Sequence, residues 1–151
     1  MASYFLDATA LIPLFVRGLG TDFMMRLMDE TEDNRKLIAA GTPLEVYATL
    51  KRGELEGVIS EQDGAEARGI LRMESARMVQ QPLNPAVLEA ARQMLDQHPL
   101  RASEAIQLGA AVVAREMLLD VPVVFVSSSL PLLTAAQAER FEVLNPMEQH
   151  D

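Results

Sequence analysis

Short apolar runs, each closed by a turn residue and separated by a stretch of helical period, constrain this chain more than any other feature. Tyr4-Phe5-Leu6 stops at Asp7, Leu37-Ile38-Ala39-Ala40 stops at Gly41, and Val123-Val124-Phe125-Val126 enters through Pro122 and leaves at Ser127. Phe141-Glu142-Val143-Leu144 closes at Asn145-Pro146, and Met78-Val79 reads as a further edge strand. Such runs suit strands buried on both faces. Between them the period is helical. Asn84 can cap and Pro85 suits a first helical position, after which Val87, Leu88, Ala91, Met94 and Leu95 share one face up to His98-Pro99. From Ala102 to Leu118 the chain is apolar nearly all round, which predicts a central helix, and Gly109-Ala110-Ala111 would let another element approach closely. Further helices are predicted from Thr42 to about Arg52, from Ser60 to about Arg77 and from Pro131 to Glu139. Strands alternating with helices predict a three-layer α/β fold with a mostly parallel central sheet. The charged, Gly-bounded connection from Gly53 to Gly57 is too short to separate domains, so residues 1–151 read as a single domain.

Composition removes several chemistries. With no cysteine there is no disulfide, thiolate zinc site, Fe–S cluster or thiol nucleophile. A net charge of −9 argues against a basic groove that binds nucleic acid by counterion release alone, but not against nucleic acid reached through bound cations. No apolar stretch is long enough to span a membrane, and MASYFLDATA has no basic n-region, so a cytoplasmic protein without a signal peptide is expected. His98 precedes a proline and reads as solvated, and His150 lies in the tail, so a histidine-based site is not expected. Gly18-Leu19-Gly20 follows no strand and lacks a third glycine, unlike a dinucleotide fingerprint. Ser127-Ser128-Ser129 has no nucleophile elbow around it, and Ser129 suits an N-cap.

Ligands of a parallel sheet bind beyond the carboxyl ends of its strands. Asp7 ends the first strand, Glu45 lies in the first turn of the helix after the second, and Glu104 lies in the first turn of the central helix. Three acids from distant parts of the chain are thus expected on one rim, where hard divalent cations bind carboxylates and can assist phosphodiester cleavage. Each acid has a structural alternative. Glu45 completes a capping box with Thr42, Glu104 complements a helix dipole, and Asp7 could cap the turn that begins at Ala8. Arg17 and Arg101 stand near these acids in sequence and are candidates for phosphate contact, with a surface ion pair as the alternative for Arg17.

In this order the residues resemble the PIN-domain family, specifically its VapC-type toxins. YFLDATALIPLF resembles the strand ending in an acid with a hydroxyl two residues on, here Asp7 and Thr9. IAAGTPLEVYATLKRG resembles the second motif, with Glu45 as its acid, and LRASEAIQLGAA the third, with Glu104 in the acidic position. VPVVFVSSSLPLL followed by FEVLNP resembles the final strand, loop, helix and strand, so the match runs from Ser3 to Pro146. The resemblance implies a three-layer α/β/α PIN-like fold and a ribonuclease that uses Mg²⁺ or Mn²⁺, held by Asp7, Glu45 and Glu104 as catalytic and metal-binding residues. Thr9, Ser127 and Ser129 would be auxiliary to the site. It also implies a homodimer and a cognate antitoxin, whose segment would bind the helices at 43–52 and 60–77. Two positions depart from the pattern: Glu104 stands where Asp is usual, and Ser129 stands where a fourth Asp is usual.

Three functions follow as alternatives. The first is a metal-dependent endoribonuclease toxin. The second is a catalytically weak PIN domain acting as a protein- or RNA-binding module, which the missing fourth acid favours. The third is an unrelated α/β binding domain whose rim acids are helix caps.

Overall fold

The computed structural model describes residues 2–29, 34–119 and 121–149, and His150 lies outside them. Five strands, β1 (Ser3–Leu6), β2 (Arg35–Ala39), β3 (Val79–Gln81), β4 (Val123–Val126) and β5 (Glu142–Leu144), form one sheet in the order β3-β2-β1-β4-β5. Every pairing is parallel. The helices are α1 (Ala8–Leu11), α2 (Thr21–Met28), α3 (Thr42–Leu55), α4 (Glu61–Ala76), α5 (Pro85–Gln97), α6 (Ala102–Met117) and α7 (Leu130–Ala138). Single 3-10 turns follow α1 at Ile12–Leu14 and β5 at Pro146–Glu148. This is the three-layer PIN-like architecture expected from the sequence. No helix among the described residues is long and apolar enough to cross a membrane.

Strand alternation divides the core into two layers. Phe5, Leu37, Ala39, Val123 and Phe125 face α5, α6 and α7, where they pack with Val87, Met94, Leu108 and Leu132. Leu6, Ile38 and Val126 face the opposite way, against Leu11, Met24, Val46, Leu50 and Leu71 from α1 to α4. Phe5 and Phe125 are register partners on β1 and β4, and their rings stack with centroids 5.8 Å apart. Because β1 lies in the middle of the sheet, its carboxyl end opens onto the centre of the rim, and Asp7 sits there.

Asn84 and Ser129 each cap their helix by accepting a backbone N–H, as their sequence positions predict, and Ser60 caps α4 in the same way rather than forming its first residue. Other expectations are corrected. Gly41, not Thr42, occupies the N-cap of α3, so the Thr42/Glu45 capping box does not form. The third helix does not stop at Arg52 but continues through Gly53 to Leu55. The one-turn α1 and the eight-residue α2 are not among the helices predicted from the sequence, and α2 begins behind Gly20, whose φ of 90° suits glycine. On α5 the buried stripe is Val87, Ala90, Ala91 and Met94, whereas Leu88 and Leu95 are exposed. The stripe is narrow because α5 packs tightly on α6. His98 is not solvated: its Nε2 lies 2.8 Å from Glu139 Oε2, which ties the end of α5 to the end of α7.

The α5–α6 contact depends on Gly109. A Cβ there would lie 2.7 Å from the Ala91 backbone nitrogen and 3.0 Å from Val87 O, and backbone cannot step aside as a side-chain tip can. Gly109→Ala should therefore destabilise by about 1–3 kcal/mol through overpacking. Gly69, inside α4 with nothing near its Cβ position, provides the control. There Gly→Ala should stabilise by about 0.5–1 kcal/mol through helix propensity. Urea denaturation of the two variants checks both signs, and equal shifts would contradict the packing argument.

Candidate active site

Asp7 is 3% exposed, and both carboxylate oxygens are satisfied. Oδ1 accepts from the Thr9 hydroxyl at 2.7 Å and from the Ala10 N–H at 2.9 Å, and Oδ2 accepts from the Ser127 hydroxyl at 2.6 Å. Each hydroxyl is itself oriented. Ser128 N–H donates to Thr9 Oγ1 at 2.9 Å, and Ser129 N–H donates to Ser127 Oγ at 3.0 Å. A hydroxyl that accepts from a backbone donor is left to point its single proton at the carboxylate, so each chain is polarised in one direction. The capping reading of Asp7 is also true, because the Ala10 bond caps α1.

Burial pushes the Asp7 carboxyl above its ordinary range. The hydrogen bonds from Ser127, Thr9 and Ala10 oppose that rise, and the nearby charge of Glu45 adds to it. Glu45, half-buried in the first turn of α3, accepts from Gln107 Nε2 at 3.3 Å. The same nitrogen lies 2.8 Å from Thr42 Oγ1.

Glu104 has a different environment. Its Oε1 accepts from the Arg101 backbone N–H at 2.9 Å and lies 3.4 Å from Arg101 Nε, while Oε2 accepts from the Ser129 hydroxyl at 2.9 Å. Slight burial pushes its pKa up, but the Arg101 N–H, the Ser129 hydroxyl and the Arg101 charge together hold it below the ordinary value. Glu104 therefore joins Asp7 through the chain Glu104–Ser129–Ser127–Asp7. It does not join a three-carboxylate cage: among the described residues, no three Asp, Glu or His side chains are gathered closely enough to hold a metal ion. The three acids lie along one rim without closing into a single cluster. The extra methylene of glutamate carries the carboxylate to Ser129 and back onto its own helix terminus.

Of the two arginines, Arg101 is exposed at the N-terminus of α6, beside Glu104. Arg17 pairs with Asp22 at 2.7 Å, the surface ion pair that was its alternative reading. Gln107 escaped the sequence reading. Its signal was a polar side chain in a helix otherwise apolar nearly all round.

No protein-family model matches the chain, and no curated protein matches it in sequence. Solved structures match it in fold. A toxin–antitoxin complex from Klebsiella pneumoniae superposes with a TM-score of 0.65 at 16% identity, covering 97% of this chain and 99% of that one. DNA-bound VapBC from Salmonella typhimurium gives 0.65 at 11% identity, with the same coverage of 97% and 99%. PAE2754 from Pyrobaculum aerophilum gives 0.64 at 18% identity, covering 96% of this chain and 84% of that one. The fold resemblance drawn from the four sequence motifs is therefore shown.

The raised Asp7 pKa has a sign that can be tested. A carboxyl that holds its proton more tightly when folded opposes folding above its folded pKa, and this opposition is lost as pH falls toward the unfolded value. Asp7→Asn removes that dependence. Without divalent cations, the melting temperature of the variant relative to wild type should fall as pH is lowered toward the ordinary carboxylate range. A gap independent of pH, measured by calorimetry, would mean that Asp7 is not desolvated in solution.

Proposed function

We propose that the protein is a divalent-metal-dependent endoribonuclease and the toxin of a toxin–antitoxin pair. The observation that carries this reading is the buried Asp7 carboxylate at the central strand end, fixed by two polarised hydroxyls and facing the charge of Glu45. A stability role alone would favour an uncharged side chain there. The residues present fit a hard cation: Asp7 and Glu45 would hold it, with Thr9 and Ser127 orienting Asp7 and hard oxygens making up the donor set. When bound, Mg²⁺ or Mn²⁺ would lower the pKa of water and stabilise the leaving oxygen. In the hydrolysis a water oxygen bonds to phosphorus as a P–O bond of the RNA breaks and the leaving oxygen takes up a proton. Glu104 would act from the edge of the site, keeping Arg101 and the Ser129 loop in place, and exposed Arg101 would meet a phosphate.

The partners in this reading are RNA, a second copy of the chain and a cognate antitoxin, as the toxin–antitoxin complexes sharing the fold suggest. A groove of about 670 Å³ lies away from the acids, at the opposite ends of β2 and β3. Phe15, Met28, Ile70 and Met78 in its wall suit an apolar antitoxin segment, with α4 as the shared support. A catalytically weak binding module is the second reading, favoured by the engagement of Glu104 with Arg101 and Ser129.

Cleavage of a mixed RNA pool with Mn²⁺ titrated in separates the two. The nuclease reading requires Mn²⁺-dependent cleavage that falls to background in Asp7→Asn. In Ser127→Ala, which loses a hydrogen bond to a ligating carboxylate, activity or metal affinity should fall about 10–100-fold. Wild-type protein that binds RNA without cutting it would select the binding module.

Ser129→Asp probes the fourth position. Without metal it replaces a donor to Glu104 with a like charge and should cost about 1 kcal/mol, while Asp still caps α7. With Mn²⁺ it should regain that stability and increase cleavage, since the cation gains a carboxylate ligand. Thermal melts with and without Mn²⁺ test the reversal, and a loss that persists in Mn²⁺ would place residue 129 outside the metal site.

A further inference from the structure

Gln107 occupies a position that folding alone would give to an apolar side chain. It is 3% exposed and shares the buried face of α6 with Ala105, Leu108 and Ala111. Its amide nitrogen lies within reach of two acceptors, Thr42 Oγ1 at 2.8 Å and Glu45 Oε1 at 3.3 Å. Its amide oxygen is buried and has no hydrogen-bond partner among the described residues. The carboxylate settles which way the amide points, because the flipped orientation would set the amide oxygen against Glu45, acceptor against acceptor. A buried acceptor without a partner is a loss that an apolar side chain would avoid. The contact with Glu45 is what glutamine provides in return.

We propose that Gln107 is a positioning residue: its side-chain amide clamps the Glu45 carboxylate beside Asp7 and so sets the affinity of the pair for a divalent cation. This role deepens the metal-dependent reading above and rests on it. Glu45 rides on the first turn of α3, whose start carries no side-chain cap, so its rotamer is not fixed by a capping bond. Thr42, wholly buried and three residues earlier, gives the amide its second anchor and references Glu45 to the helix that carries it. A hydrogen bond to a ligating carboxylate from a fixed neighbour orients that ligand before the cation arrives. Asp7 is held in the same manner by Thr9 and Ser127. The two carboxylates are thus oriented by different parts of the fold, one by hydroxyls of α1 and of the loop after β4, the other by an amide of α6.

The test is Gln107→Met in the full chain, since methionine has nearly the same length and lacks the amide. Three quantities are read: the melting temperature without metal, the Mn²⁺ concentration giving half the Mn²⁺-induced thermal shift, and RNA cleavage over the same titration. A positioning role predicts a metal-free melting temperature no lower than wild type, a Mn²⁺ midpoint raised about tenfold or more, and cleavage that recovers to within a few-fold at saturating Mn²⁺. A lower metal-free melting temperature, or failure to fold, with an unchanged Mn²⁺ midpoint in whatever folds, would make Gln107 a structural tie between α6 and α3 and overturn the proposal. Crystals of both proteins without metal give a readout independent of cation and activity: Glu45 should leave its place in Gln107→Met. If wild type shows neither a Mn²⁺ shift nor cleavage, the ribonuclease reading fails. Gln107 is then judged on those crystals alone, where an unmoved Glu45 overturns the clamp.

Discussion

The Asp7 carboxylate organises the carboxyl edge of the sheet. It ends the central strand, it is buried, and it is kept there by donors from α1 and from the loop after β4. Those two segments are set in turn by parallel pairing of β1 with β4, which places Leu6 opposite Val126 and therefore Asp7 beside Ser127. A one-residue slip would bury the wrong face of β4 and also take the Ser127 hydroxyl away from the acid. Register of the core and geometry of the site are thus one constraint, seen from the sheet and from the rim.

Close packing of α5 on α6 has a similar double effect. Gly109 lets the two helices meet at backbone distance, which seats α6 against β2. From that seat Gln107 reaches Thr42 and Glu45, and Glu104 at the start of the same helix reaches Ser129. The helix α6 therefore carries two polar side chains to the rim, one from its first turn and one from the next. α3 and α4, by contrast, are joined by the ion pair of Glu54 with Arg68, with Gly64 leaving room for the Glu54 carboxylate. That pair lies in a different part of α3 from Glu45, so the rim is oriented from the α6 side.

Much of this was readable in the residues. The β-branched run Val123–Val126 became a strand with the same limits, and Asn84-Pro85 started its helix where a cap and a first-turn proline should stand. Local signals sufficed because parallel strands buried on both faces leave continuous apolar runs. Features set by tertiary partners were less legible. Thr42-x-x-Glu45 matches a capping box, but the Thr42 hydroxyl accepts from Gln107, sixty-five residues away, and local spacing carries no trace of that competition. Likewise the sequence places three acids at strand and helix ends, yet which of them face one another depends on rotamers. Glu104 folds back on Arg101 and Ser129, a choice made by the length of its side chain.

The two departures from the resembled family's pattern belong together on physical grounds. An aspartate at 104 would be one methylene too short for the contact that Glu104 makes with the Ser129 hydroxyl while also accepting from its own helix terminus. An aspartate at 129 would meet Glu104 as a like charge where serine now donates a hydrogen bond. Glutamate at one position and serine at the other turn what would be two repelling carboxylates into a bonded pair, and the rim carries one negative charge fewer. In a chain of net charge −9 that relief is greatest when no cation is bound. It leaves Asp7 and Glu45 as the pair whose repulsion is not otherwise answered, and so as the place where a divalent cation would gain most.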